Sequence, residues 1–178
     1  SAIYNYSYWT INDLPNPVPT ITTLTNNGTI TSDDWGIYNE GTITTLTNNG
    51  TISSTLVGRN NLSAAIYNAG TIGDITNTNL IHGDWMYGIV NYTSASINSI
   101  TNASGGTIYG SYAAIENYDY NSTIASISNS GTITSDGGNS GQAILSYGSI
   151  TTLNNLSGGV ISGTNGASGV VNALSIGS

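Results

Sequence analysis

Residues 21–30 read ITTLTNNGTI, and the same ten letters return at residues 43–52, a shift of 22, with GIYNEGT lying between the copies. Weaker copies continue down the chain. The element "Ile, two residues, Ile or Leu, any, Asn" reads at Ile43–Leu46–Asn48, Ile72–Ile75–Asn77, Ile97–Ile100–Asn102, Ile124–Ile127–Asn129 and Ile150–Leu153–Asn155, each 22 to 29 residues after the last. A second element, aliphatic-any-Asn, precedes these copies at Ile37–Asn39, Ile66–Asn68, Ile89–Asn91 and Ile115–Asn117, returns at Val170–Asn172, and has Ser146 in place of Asn in the copy at Ile144. A third, Thr-Ile, follows at Thr29-Ile30, Thr51-Ile52, Thr107-Ile108 and Thr132-Ile133, with Val160-Ile161 as a looser copy. Three short elements and one loop of variable length describe a coil with three faces.

Each element alternates an aliphatic residue with Thr, Ser or Tyr, which is the period of a strand. Ile, Thr and Val suit a pleated surface, and Gly, Asn and Ser interrupt every helical window. A coil of this length cannot bury its own Ile side chains, so it must stack on its neighbours at ~4.8 Å per coil and build a continuous aliphatic column. The sequence therefore predicts an all-β fold, a single-stranded parallel β-helix (β-solenoid) with three short strands per coil and about six to seven coils of 22–29 residues. The Asn positions belong at the corners. Asn tolerates left-handed backbone angles, and stacked side-chain amides can bond one another in a ladder. One ladder is predicted through Asn26, Asn48, Asn77, Asn102, Asn129 and Asn155, another through Asn39, Asn68, Asn91 and Asn117. The glycines that follow (Gly28, Gly41, Gly50, Gly70, Gly131) are expected to supply a second permissive turn angle.

Composition narrows the function classes. Asn, Thr, Ser and Gly account for 96 of 178 residues, and charged residues for 6%, against roughly 25% in an ordinary globular protein. The 23 Ile spread from Ile3 to Ile176 argue against disorder. A net charge of −8, with no Lys and Arg59 as the sole basic residue besides His82, removes the surface that nucleic acid requires. No apolar run approaches the ~20 residues of a membrane span. With no Cys there is no disulfide framework, and long Cys-free polar chains suit bacterial proteins exported unfolded. The expected setting is extracellular or the bacterial cell surface, with Ser1 as the start of a processed or excised chain.

The repeats I-x-N-x-G-T-I and L-x-N-x-G-T-I resemble the passenger repeats of bacterial autotransporter and haemagglutinin-type adhesins from about Thr20 onwards. The resemblance implies a right-handed β-helix. It is less specific for function, because such passengers include adhesins, biofilm proteins and some enzymes.

The N-terminal stretch AIYNYSYWTINDL (2–14) matches the first two elements of a coil, as a comparison with AIYNAGTIGDI (65–75) shows, and Pro15, Pro17 and Pro19 then form a stiff connector. The chain is accordingly divided into an N-terminal strand extension with its Pro-rich connector (1–19) and a β-solenoid (20–178). Ile3, Tyr4, Asn5, Trp9, Ile11 and Leu14 are expected to complete a coil on a neighbouring subunit, giving a head-to-tail homopolymer. The alternatives are that this stretch folds back as a cap or that the chain is cut from a longer repeat protein.

No catalytic constellation is expected. Asp33-Asp34 and His82-x-Asp84 fall in variable loops, and acid/base chemistry needs converging groups. Ser32-Asp33-Asp34 and Ser135-Asp136-Gly137 match neither repeat calcium motifs nor an EF-hand, and a single His with no Cys offers no zinc set. Neither metal nor cofactor is expected. An ice-binding face would need two parallel Thr ranks, and the second is broken at Gly73, Asn98 and Ala125. The aromatics are the best binding feature. Tyr38 and Tyr67, at one repeat position, and Trp35 and Trp85, in the loops, offer flat apolar area with a polar handle. The sequence thus points to a structural subunit of an extracellular filament joined through its N-terminal extension. An adhesin fragment binding glycan or matrix through Tyr and Trp is the second reading, and ice binding a distant third.

Overall fold

The computed structural model describes residues 1–6, 17–55, 62–136 and 141–173. Nineteen strands fall into three parallel sheets. The first holds β1 (Ile3–Asn5), β4 (Trp35–Asn39), β7 (Ala64–Asn68), β10 (Tyr87–Asn91), β13 (Ala113–Asn117), β16 (Gln142–Ser146) and β19 (Ser168–Asn172). The second holds β2 (Thr20–Asn26), β5 (Thr42–Asn48), β8 (Thr71–Asn77), β11 (Ser96–Asn102), β14 (Thr123–Asn129) and β17 (Ser149–Asn155). The third holds β3 (Thr29–Ser32), β6 (Thr51–Ser54), β9 (Leu80–Gly83), β12 (Thr107–Gly110), β15 (Thr132–Ser135) and β18 (Val160–Gly163). Every third strand pairs with the next, so the chain winds through six coils and enters a seventh with β19. This is the β-solenoid that the repeat predicts.

Register follows the repeat residue by residue. Ile43 pairs with Ile72, Leu46 with Ile75 and Asn48 with Asn77 on the second sheet, while Ile66 pairs with Ile89 on the first. The inward residues of all three sheets meet in one column that includes Ile37, Ile43, Leu46, Ile52, Ile66 and Ile72, all fully buried. A one-residue slip would turn the Ile out and the Thr in, so the column itself fixes the pairing.

The corner glycines have a different reason from the one expected. Among the described residues, positive φ is confined to Ser94, Asn165, Gly105, Gly158 and Gly166, so the corner Asn and the glycines expected to turn there, Gly28, Gly41, Gly50, Gly70 and Gly131, do not use left-handed angles. Close approach explains Gly41, Gly50, Gly70 and Gly131 instead, while Gly28 in the first coil has open space where its Cβ would stand. A Cβ built on Gly50 would stand 2.0 Å from Gly28 O, and one on Gly41 would stand 2.1 Å from Pro19 O, because each corner rests on the carbonyl of the coil before.

The N-terminal strand also departs from expectation. Ile3, Tyr4 and Asn5 pair with Ile37, Tyr38 and Asn39 of the same chain, so these three residues complete their own first coil rather than a neighbour's. An Ile-Tyr-Asn element finds an identical element to pair with within its own chain, and β1 thereby joins the stack across the boundary expected at residues 19/20. Trp9, Ile11, Leu14 and Pro15 lie outside the described residues. Pro17 is exposed, and the Pro19 carbonyl accepts from Thr42 N at 2.8 Å and from Asn5 Nδ2 at 3.2 Å.

Candidate functional site

Three features of the stack could support function: its amide ladders, the aromatic flank of the first sheet, and a cleft within that flank. The ladders come directly from the corner Asn. On the second sheet, Nδ2 of Asn26, Asn48, Asn77, Asn102 and Asn129 donates to Oδ1 of the Asn one coil on, at 2.8 to 2.9 Å. On the first sheet the chain of bonds starts at Asn5, runs through Asn39, Asn68 and Asn91 to Asn117, and ends on Ser146 Oγ at 3.3 Å. Each amide also serves two carbonyls: Asn48 Nδ2 donates to Gly50 O at 3.0 Å and to Leu80 O at 2.9 Å. Every ladder bond points the same way, from one coil toward the next in sequence.

The outward residues of the first sheet form ranks. One rank runs Tyr4, Tyr38, Tyr67, Val90, Glu116, Leu145, Val171, in register. Its three tyrosines stack face to face, with ring centroids 4.7 Å apart for Tyr4 and Tyr38 and 4.9 Å apart for Tyr38 and Tyr67. Tyr6 tilts against Tyr4, and Trp35 against both Tyr38 and Tyr67. Trp35, expected in a loop, is instead the first residue of β4 and pairs with Ala64; its indole N–H donates to Leu62 O at 2.9 Å and ties the segment before β7 to this flank. The Tyr38 hydroxyl donates to Glu40. Burial, with Glu40 nearby, pushes the hydroxyl pKa values of both Tyr38 and Tyr67 well above the usual phenol value. Trp85 is half-buried in the turn between β9 and β10. Most of these rings therefore cover the solenoid flank and one another.

Farther along the same face lies a cleft of about 660 Å³, walled by Tyr87, Tyr112, Tyr118, Tyr120 and Tyr147 with Glu116 and Asp119. Glu116 is 2% exposed. It occupies the rank position taken by Val90 and Leu145 on the neighbouring strands, which places a carboxyl group between two aliphatic side chains. Burial raises its pKa to about 7, and a hydrogen bond with Tyr87 opposes that rise. Its second oxygen, Oε2, has no hydrogen-bond partner among the described residues. Tyr87 responds reciprocally, its hydroxyl pKa pushed far up by burial and by Glu116.

Asp136 and Asp84, at the ends of third-sheet strands, and Asp74, within β8, are occupied as acceptors. Asp136 accepts from Tyr109 at 2.7 Å and Ser111 at 3.0 Å. Asp74 accepts from Ser99 and Asn98, and His82 pairs with Asp84 while stacking on Tyr109. Burial and Asp136 together raise the Tyr109 hydroxyl to about 12. Among the described residues no group of three or more His, Asp or Glu could hold a metal ion, and no helix is long and apolar enough to cross a membrane.

Compared with known proteins, the chain matches no family model, no curated protein and no solved structure. Any function must therefore be argued from this geometry. Sequence reasoning missed two members of it. Asn5 heads the first-sheet ladder, although it was grouped with the extension. Glu116 carried a readable signal, since it is the one charged residue at a repeat position otherwise filled by Tyr, Val and Leu.

Proposed function

We propose that the chain is a structural subunit of an extracellular or bacterial surface filament, built by head-to-tail stacking of solenoids. The direction of the Asn ladder carries this reading. Asn129 Nδ2 reaches three acceptors, Gly131 O, Asn155 Oδ1 and Val160 O, whereas Asn155 Nδ2 in the last second-sheet strand reaches only Gly159 O among the described residues. One end of the stack thus offers amide donors and the other amide acceptors. Head-to-tail stacking pairs donor with acceptor, and head-to-head stacking sets acceptor against acceptor. Such a heterologous contact does not close on itself, so it propagates as a fibre.

The end coils support the same reading. Ile21, Leu24 and Ile30 at one end and Ile150, Leu153 and Ile161 at the other are only partly buried, and the outer edges of β2, β3, β17, β18 and β19 have no neighbouring strand in the described stack. Unpaired edges of this kind template further pairing. The N-terminal segment remains part of the proposed joint, because TINDL at residues 10–14 repeats the pattern of a second-sheet strand. The Cys-free, almost uncharged composition supports the extracellular setting. An adhesin that binds glycan through this flank has less support, since the faces of Tyr38 and Tyr67 are spent on each other and on Tyr4.

The test is electron microscopy and light scattering of the purified chain, of a chain lacking residues 1–14, and of Leu153→Lys, which puts a charge on the open end. Filaments from the unaltered chain that are lost in both variants, with circular dichroism showing the variants folded, are the expected result. Monomeric short rods from the unaltered chain at high concentration overturn the reading.

A further inference from the structure

We propose that the cleft on the outer face of the first sheet is a binding site for a primary ammonium group, with Glu116 Oε2 as its acceptor and tyrosine rings as its walls. The site is independent of the assembly proposed above. A carboxyl group between Val90 and Leu145 is the costliest choice at that rank position, and nothing in the column or the ladders requires it. One of its oxygens is engaged by Tyr87 from the adjacent strand β10, and the other is buried and unsatisfied. An ionised Oε2 lacks a donor, and a protonated one lacks an acceptor, so in both states a group from outside the described residues completes the site.

The surroundings select a cation. The titratable groups that face Glu116 are Tyr87 on β10, Tyr112 in the turn before β13, Tyr118 and Asp119 in the loop after β13, and Tyr147 after β16. Electron-rich ring faces and a second carboxylate favour a positive charge. A sugar hydroxyl would also donate to Oε2, but it would leave the carboxylate charge uncompensated in an apolar rank. A quaternary ammonium would satisfy the rings but has no N–H to give. A primary ammonium, such as a lysine side chain or an alkylamine, supplies both charge and donor. The rim at Tyr118 and Tyr120 is exposed and gives an approach to the cleft.

The experiment is isothermal titration of the full chain at pH 8 with Nα-acetyl-lysine methylamide, with choline and methyl glucoside as comparison probes. Saturable one-to-one binding is expected, at least tenfold weaker for choline and for methyl glucoside and at least tenfold weaker in Glu116→Gln. Lowering the pH to 5 protonates Glu116 and weakens binding by tens of fold. Tyr147→Leu, which keeps the carboxyl group, should weaken both lysine and choline probes together, and melting curves establish that each variant is folded. The proposal is overturned by absence of binding at pH 8, by equal binding in Glu116→Gln, or by tighter binding of methyl glucoside.

Discussion

Asn48 and Asn77 lie one above the other, 29 residues apart in sequence, and the amide of the first donates to the carbonyl oxygen of the second at 2.8 Å. Asn77 in turn donates to Asn79 O, Asn102 Oδ1 and Thr107 O, and both side chains are fully buried. Removing one rung leaves buried partners unsatisfied on both sides. Asn77→Ala should therefore lower unfolding free energy by about 2–4 kcal/mol, the cost of several orphaned buried groups. Asn27→Ala, at an exposed position whose side chain accepts one bond from Asn49, should cost less than about 0.5 kcal/mol. Urea denaturation of the two variants side by side checks the contrast, and equal losses would count against the ladder as a source of stability.

Gly28 and Gly50 occupy the same corner in successive coils but have different surroundings. A Cβ on Gly50 would meet Gly28 O at 2.0 Å, whereas one on Gly28 meets nothing within 4 Å. Gly50→Ala should thus destabilise by about 1–3 kcal/mol through forced backbone displacement, and Gly28→Ala should leave the melting temperature nearly unchanged. The intermediate size of the first effect follows from Asn79, which fills the equivalent corner of the next coil with a side chain in place. Its coil shows that the turn can shift to accept one.

The strands were legible because a solenoid writes its geometry into spacing: an inward Ile recurs wherever the chain passes one face, and a corner Asn wherever it turns. The same spacing identified the ladder positions from Asn26 to Asn155. It did not reveal why the glycines are there, since a positive φ and a carbonyl packed from the previous coil leave the same letter in the sequence. Nor did it place Ile3–Asn5, because an element that matches the repeat can pair within its own chain or on another copy with equal complementarity. The cleft was not legible either. Its walls come from loops of different coils, and Glu116 differs from its neighbours only once the strands are set in register.

Tyr67 is 6% exposed at the centre of the aromatic flank, and Tyr4, at the end of the same stack, is 55% exposed. Tyr67→Ala removes a ring that touches Tyr38, Trp35 and Tyr92 and should cost about 3–5 kcal/mol, as large-to-small changes of buried aromatics do. Tyr4→Ala should cost about 1 kcal/mol or less, since its ring is largely exposed before truncation. Trp35→Phe keeps an aromatic ring but is smaller and loses the bond to Leu62 O, for a combined loss of about 1–2 kcal/mol. Thermal melts followed by near-ultraviolet circular dichroism would rank the three, and a Tyr4 variant as damaged as the Tyr67 variant would show that the flank does not pack as described.

Glu116 makes stability depend on pH in a direction opposite to that of an ordinary salt-bridged acid. Burial raises its carboxyl pKa to about 7 in the folded chain, against the ordinary glutamate value of 4.5, so between those values the native state holds a proton that the unfolded chain has lost. The stability it contributes is fully present below about pH 4.5, falls as pH rises, and is gone above about 7. A difference of this size corresponds to roughly 3 kcal/mol, so the chain should resist urea better at pH 5 than at pH 8. Glu116→Leu, which extends the aliphatic rank of Val90 and Leu145, should abolish most of that difference and stabilise the chain chiefly at pH 8. Denaturation at the two pH values, without added amine, provides the check. A wild-type chain more stable at pH 8, or a Leu variant that keeps the full pH dependence, would mean that the carboxyl group is not held in the desolvated environment on which the cleft depends.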